Sequence, residues 1–143
     1  LVQEIANEED DLSIIISAKI ESEISQLNNE EKNEYLIALG LKESGLEQVI
    51  QSGYKLLDLI TYFTSGPEES RAWTISKGSN APRAAREIHT DFEKGFIRAE
   101  VVSYKDYVTF QGEKKSKEAG KMRVEGKDYI VEDGDVIYFR FNV

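Results

Sequence analysis

No cysteine occurs in the 143 residues, which excludes a disulfide framework and any thiolate metal site. Histidine occurs once, at position 89, so a histidine-based metal centre is not expected and a Ser/His/Asp triad has one candidate base. Its neighbours Thr90 and Asp91 put His89 at a helix end, where capping is the simpler role. No apolar run approaches the ~20 residues that cross a bilayer, and no basic segment followed by an apolar one opens the chain, so no membrane partner is expected. Neither G-x-x-x-x-G-K-[ST] nor G-x-G-x-x-G occurs, and Gly120-Lys121 and Gly126-Lys127 lack the upstream glycine, so nothing here cradles a triphosphate. The lack of cysteine also permits a cytoplasmic location, which is the one expected.

What is present is globular in character: 40% of residues are hydrophobic and 31% charged, enough apolar side chains for one ordinary domain or two small ones. The formal net charge of −9 argues against a polyanionic partner until the chain is split after Gly66. Residues 1–66 hold thirteen acidic and four basic side chains, whereas 67–143 hold fourteen of each. The acidity belongs to the first part, and the second is free to meet an anion. The chain opens without Met, and Leu1, Val2 and Ile5 have helical spacing from the start, so it reads as a piece of a longer protein.

Residues 1–10 suit an amphipathic helix that frays at Glu8, Glu9, Asp10 and Asp11, because acid there opposes the helix dipole. "LSIII" (12–16) has the unbroken apolar character of a buried parallel strand, giving an α–β–α unit. Asn28 with Glu31, and Ser44 with Glu47, have capping-box spacing. Tyr35, Leu36 and Leu39 are expected to face inward, with Gly40 ending that helix. Leu46, Val49, Ile50, Gly53, Leu57 and Ile60 predict one further amphipathic helix of four turns. "TSGPEES" (64–70) concentrates turn formers at the charge break and is the expected domain boundary, between 66 and 67. Beyond it "RAWTIS", "GFIRAEVVSY" and "DYVTF" read as strands, Pro82 as a helix start, and "KKSKEAGK" as a polar, helical connection. Gly126-Lys127 and Asp133-Gly134 read as hairpin turns, the latter before "DVIYFRF", where Ile137, Phe139 and Phe141 share one face and Val136, Tyr138 and Arg140 the other. The expected class is α+β, the second domain being a sheet packed on one helix.

Two groups of residues are candidates for binding. Ser17, Ala18 and Lys19 follow the apolar run and open a helix, where backbone N–H groups donate to ligand oxygens and a lysine stem lies along a planar ring. The same tripeptide also suits an ordinary turn, with Ser17 as N-cap and Lys19 in water. Lys77, Arg83 and Arg86 flank the start of the second domain's helix, and Lys114, Lys115, Lys117, Lys121 and Arg123 crowd one connection. Such clusters pair with nucleic-acid phosphates, while Trp73, Tyr104, Tyr107 and Tyr138 have faces on which unpaired bases stack. Against this, Glu113, Glu118 and Glu125 interleave with the second cluster, and aromatic residues of a small β domain belong mostly to its core.

"ISAKIESEI" (16–24), "YFTSGPEESRAWTISKGSNAPRAAREIHTDFEKGFIRAEVVSY" (62–104) and "EGKDYIVEDGDVIYFRFNV" (125–143) closely resemble the C-terminal portion of the YchF family, the Obg-like P-loop ATPases, whose bacterial members are also called EngD. The resemblance runs through the chain and ends flush with Val143, implying a native C-terminus. It implies that 1–66 are the end of an OBG-type GTPase domain and 67–143 a TGS domain, a β-grasp, ubiquitin-like module also found in threonyl-tRNA synthetases and RelA/SpoT enzymes. "IHTD" and "DGDVI" are the signatures shared with those proteins. Ser17-Ala18-Lys19 resembles the family's fifth nucleotide-binding motif, in which backbone amides and the lysine contact the purine base. The implied parent binds and hydrolyses ATP or GTP with Mg2+ and associates with the ribosome, through rRNA or ribosomal protein, and with other RNA. The family's Walker A loop, switch regions, coiled-coil hairpin and Asn-x-x-Glu motif would lie upstream of Leu1. No bound nucleotide, no metal and no hydrolysis are therefore expected of these residues alone. The expectation for 1–66 without its sheet is disorder, rearrangement or pairing with another chain. The rival expectation is a non-catalytic TGS-type RNA- or ligand-binding regulatory module.

Overall fold

Side-chain caps, Ser17, Asn28 and Ser44, decide where three helices of the first part begin. The structure, a computed structural model, describes residues 2–9 and 11–142. The expected roles of Leu1 in the first helix, Asp10 in the acidic turn and Val143 at the end lie outside the described residues. Helices α1 (Val2–Glu8), α2 (Ala18–Ile24), α3 (Asn29–Ala38) and α4 (Gly45–Leu56) succeed one another. Both expected capping boxes form. Asn28 Oδ1 accepts from Glu31 N at 3.0 Å while Asn28 N donates to Glu31 Oε2 at 3.0 Å, and Ser44 and Glu47 repeat the exchange at 3.2 and 2.9 Å. Gly40, at φ +70, closes α3 with paired bonds from Gly40 N to Ile37 O and from Leu41 N to Leu36 O. Leu36 is buried and Tyr35 half-buried, but Leu39 is exposed.

The expected strand at 12–16, and with it the α–β–α unit, is not formed. Among the described residues no strand lies before Leu59, so no neighbour is available for the paired N–H and C=O groups that define a strand. Leu12, Ile15 and Ile16 are exposed. The expected long helix also ends early. Asp58 adopts a left-handed φ of 49, and Ile60 lies in a strand rather than on the α4 stripe, whose Leu46, Val49 and Ile50 face solvent. A Cβ on Gly53 would meet nothing within 4 Å, so that glycine is a weak point in α4 and no close contact.

The described residues divide into two compact units between Leu57 and Asp58, not between 66 and 67. The reason is that "TSGPEES" is a hairpin loop. Strands β1 (Leu59–Ser65) and β2 (Ser70–Ser76) pair antiparallel from Leu59↔Ser76 to Ser65↔Ser70. The second unit continues with α5 (Ala81–Ile88), α6 (Thr90–Lys94), β3 (Phe96–Ser103), α7 (Tyr104–Thr109), α8 (Glu113–Glu118), β4 (Arg123–Glu125) and β5 (Asp135–Phe141). Its sheet has the order β2-β1-β5-β3-β4, with β5 parallel to β1 at Phe63↔Val136 and antiparallel to β3.

The core lies between this sheet and α5. Ala81, Ala84 and Ala85 are fully buried against Ile60, Tyr62, Ile75, Ala99, Val101 and Ile137, the small side chains letting helix and sheet approach closely. The Tyr62 ring stacks with Trp73 at 6.5 Å and meets Phe139 edge-on at 5.9 Å, and its hydroxyl donates to Ala84 O at 2.8 Å. Each fully buried valine or isoleucine side chain of this layer contributes about 1.5–3 kcal/mol, and each alanine less. Within β5, Ile137 and Phe139 face this core as expected, and Phe141 stacks on Phe92 at 3.6 Å.

Three other expectations change. "DYVTF" is helical because Ser103 caps α7, accepting from Asp106 N at 3.2 Å and donating to Asp106 Oδ2 at 3.0 Å. Gly126-Lys127 joins no hairpin: β4 pairs with β3, and Ile130 makes an isolated bridge to Asn80. Asp133-Gly134 turns the chain into β5 but holds β1, since Asp133 Oδ1 accepts from Thr61 N and Gly134 N donates to Thr61 O, both at 2.8 Å.

Gly95 has no room for a side chain, because a Cβ there would overlap the Asn142 carbonyl, part of a backbone that cannot swing aside. Gly95→Ala is expected to cost about 1–3 kcal/mol, read as a lower thermal midpoint; an unchanged midpoint contradicts the packing. In the first unit, Lys32 donates to Glu47 Oε1 at 2.7 Å and holds the Glu47 carboxyl down at about 2, aided by Ser44. A depressed carboxyl stabilises the fold above its unfolded value, near 4.5, and loses that contribution as pH falls towards 2. Helical circular dichroism of the chain should therefore decline across that window, with a smaller acid dependence in Glu47→Gln.

Candidate functional site

In the second unit, the end of β2 and the start of α5 flank an open surface cleft of about 320 Å³. It is lined by Ser76, Lys77, Gly78, Ser79, Asn80, Arg83 and Ile130. Asn80 caps α5 by accepting from Arg83 N at 3.1 Å, Pro82 sits in the first turn, and the Asn80–Ile130 bridge fixes the other wall. Lys77 and Arg83, two of the sequence candidates, are thus brought together and make no ion pair among the described residues. Arg86, one turn further on, instead pairs with Glu93 at 3.6 Å. Ser79, Gly78 and Asn80 are not candidates by sequence; the "KGSNAP" run before a helix is the signal that marks them.

The second cluster is split between structure and solvent. Arg123 donates to Tyr129 OH at 2.9 Å, pairs with Asp135 at 3.6 Å and Glu125 at 3.7 Å, and lies over the Tyr129 ring. Lys121 pairs with Asp106 at 3.8 Å. Lys114, Lys115 and Lys117 are exposed on α8; Lys115 donates to Gln111 Oε1 at 2.7 Å, and none of the three makes an ion pair among the described residues. Beneath them Glu100, 6% exposed, accepts from Arg140 Nη2 at 2.7 Å. That bond, with weaker help from Lys117 and Arg98, holds the Glu100 carboxyl below its ordinary range despite burial. Burial pushes Asp135 up instead, although Tyr129 OH donates to it at 2.6 Å.

The aromatic candidates are mostly spoken for inside the unit. Trp73 stacks on Tyr62 beneath Arg71, and its Nε1 donates to Thr64 Oγ1 at 2.9 Å. Tyr107 OH donates to Ser65 Oγ at 2.9 Å, and Tyr138, raised chiefly by burial, lies beside it. Tyr104 packs on Phe63 but keeps half its surface exposed. His89 is a cap, its Nδ1 accepting from Asp91 N at 3.2 Å.

In the first unit, Ser17 is the N-cap of α2, accepting from Ile20 N at 3.4 Å. Ala18 is exposed, and Lys19 reaches Glu23 at 4.0 Å with its side chain largely in water. Glu21, on the same helix, accepts from Gly45 N at 2.8 Å and Leu46 N at 3.3 Å, so it ties α2 to the start of α4. No group of three His, Asp or Glu side chains among the described residues is placed to hold a metal ion. No helix of the described residues is long and apolar enough to cross a membrane.

Residues 59–142 match the YchF-GTPase_C family, described as "Protein of unknown function (DUF933)". The chain belongs to that family. The match begins at the first strand of the second unit, one residue beyond the structural division. Similarity to YchF proteins extends further, into the first unit. The chain is 61% identical over 142 residues to "Ribosome-binding ATPase YchF" of Haemophilus influenzae and 56% identical to the Bacillus subtilis protein of the same name. Each alignment covers 99% of this chain and 39% of the relative, so the chain spans about two-fifths of the length of these relatives. In structure it is similar to the Schizosaccharomyces pombe YchF GTPase, with a TM-score of 0.83 at 38% identity, covering 97% of this chain and 37% of that one. A GTP-binding protein of Pyrococcus horikoshii OT3 shares the fold at a TM-score of 0.64 and 21% identity, covering 98% of this chain and 41% of that one.

The Ser17 hydroxyl has one visible task in the chain, capping α2. Ser17→Ala is expected to remove about 1 kcal/mol of local helix stability. Faster amide exchange at 18–24, with the second unit unchanged, is the measurement; equal exchange would show that the cap contributes nothing.

Proposed function

We propose that this chain is the C-terminal part of a cytoplasmic, ribosome- and RNA-associated P-loop ATPase or GTPase. The observation that carries the reading is the 61% identity, over nearly the whole chain, to a protein named as a ribosome-binding ATPase. On this reading the first unit is the end of an OBG-type nucleotide-binding domain and Ser17, Ala18 and Lys19 frame the purine base. In support, Ala18 and the Lys19 side chain are open to solvent at the start of α2. The second unit is a TGS domain of β-grasp type. Its support is a β-hairpin, a helix packed across the sheet, and a late strand inserted parallel to the first between β1 and β3.

Phosphoryl transfer needs a phosphate-binding lysine and Mg2+ to offset the charge of the transition state. Neither a P-loop nor a metal-holding group of side chains is found in this sequence and its described residues, so both would be supplied by upstream segments. The chain's own contributions are to contact the base and to meet the ribosome. Lys114, Lys115 and Lys117 are the candidates for the second task, being exposed cations without ion pairs; Lys121 and Arg123 are committed within the unit.

Co-sedimentation of the chain with ribosomes over a salt series tests the reading. Wild-type chain should pellet with a strong salt dependence, and Lys114, Lys115 and Lys117 changed together to Glu should lower the slope by about 1 for each phosphate no longer neutralised. Equal pelleting of both proteins at every salt concentration removes α8 from the interface. The upstream gene sequence separates the enzyme from a purely regulatory RNA-binding module: without G-x-x-x-x-G-K-[ST] after a strand, the ATPase reading falls.

A further inference from the structure

The cleft at the head of α5 brings together two cations of the second unit that have no carboxylate partner inside it. Lys77 and Arg83 line it together, and no carboxylate is among the lining residues. Ser79 is 6% exposed, and its hydroxyl has no hydrogen-bond partner among the described residues. No described side-chain N or O is both sealed from solvent and unpartnered, so the Ser79 hydroxyl keeps some surface open, and Ser79 lines the cleft. Two cations without ion pairs and an unpartnered hydroxyl thus line one cleft, a set of donors without an acceptor.

We infer that this cleft binds a phosphate group. Lysine offers a compact charge, arginine a planar fork and serine one further donor, which together suit the three or four oxygens of a phosphate better than the two of a carboxylate. The backbone amides of the helix end are not needed for this. Ala81 N already donates to Tyr129 O at 2.8 Å, Pro82 has no N–H, and Arg83 N is held by Asn80. The α5 dipole adds only a favourable field. No aromatic ring lines the cleft, and its apolar contact is Ile130, half exposed, so bases find no stacking surface. Recognition is therefore of the phosphate and independent of base sequence. This deepens the reading of the second unit as RNA-engaging, and rests on it only for where the phosphate comes from: an RNA backbone or a free phosphomonoester.

The test is a titration of the 15N-labelled chain, read from the amide shifts of Gly78, Ser79, Asn80 and Arg83. The probes are inorganic phosphate, AMP, and a six-residue oligouridylate with hydroxyls at both ends. Shifts at these amides with the oligouridylate assign the cleft to a backbone phosphate; shifts with phosphate and AMP alone assign it to a phosphomonoester. Lys77→Ala and Arg83→Ala should each weaken binding by about tenfold, with Ser79→Ala a smaller loss. The salt slope should fall by about 1 for each cation removed. The same spectra report whether each variant is folded. If no probe moves these amides in the wild type, or if the shifts survive in the Lys77→Ala/Arg83→Ala double variant, the inference is wrong. Loss of ribosome pelleting with the cleft shifts intact would sink the ribosome reading and leave this site standing. Shifts lost with pelleting intact would do the reverse.

Discussion

One tyrosine ties the helix of the second unit to its sheet. Tyr62 is wholly buried, its ring between Trp73 and Phe139 and its hydroxyl donating to the Ala84 carbonyl. A buried hydroxyl without a partner costs ~1–3 kcal/mol, so α5 can sit only where that carbonyl is within reach. The alanine face of α5 makes the position possible, since any larger side chain at 81, 84 or 85 would lift the helix off the ring. Once α5 is seated, the chain entering it has little freedom. Asn80 must cap, Ile130 must bridge, and the Ser76–Asn80 turn is left with Lys77 exposed. The cleft is in this sense a by-product of the core.

Local chemistry is legible in the sequence and pairing between distant segments is not. Asn28 with Glu31, Ser44 with Glu47, Gly40, Pro82 and the capping role of His89 all act within four residues, and each is present in the structure. The strand expected at 12–16 depends on neighbours that no described segment supplies. "DYVTF" carries strand-favouring residues, yet Ser103 and Asp106 three apart are an N-cap signal that outweighs them. "TSGPEES" reads as a boundary because a hairpin loop and a linker are made of the same residues; what tells them apart is the register from Leu59↔Ser76 onward, which composition does not carry. For binding, the sequence names candidate cations but not their division: Lys121, Arg123 and Arg86 have carboxylate partners, while Lys77, Arg83 and the α8 lysines make no ion pair among the described residues.

That division governs what the second unit can offer a partner. Exposed ion pairs contribute little stability, on the order of 0–1 kcal/mol. Arg123 differs because it meets Asp135, which is nearly inaccessible, and Tyr129 at once. Cations that neutralise buried acid cannot also be lent to a partner without exposing that acid. The second unit is nearly neutral by count, yet α8 and the head of α5 each present cations that make no ion pair among the described residues.

The position of β5 has a consequence for the order of events in folding. This strand is drawn from residues 135–141 but lies in the middle of the sheet, between β1 and β3. Its parallel contact with β1, Phe63↔Val136, spans more than seventy residues of chain. Closing so long a loop adds little to the equilibrium cost, since each doubling of length costs only ~0.6 kcal/mol, but contacts this remote slow the search. During synthesis β1, β2, α5 and β3 are all made before the strand that joins them. Until it arrives the hairpin and β3 have no common partner, and two half-sheets wait with open edges. The unit therefore completes its sheet late, when nearly all of its chain has been made.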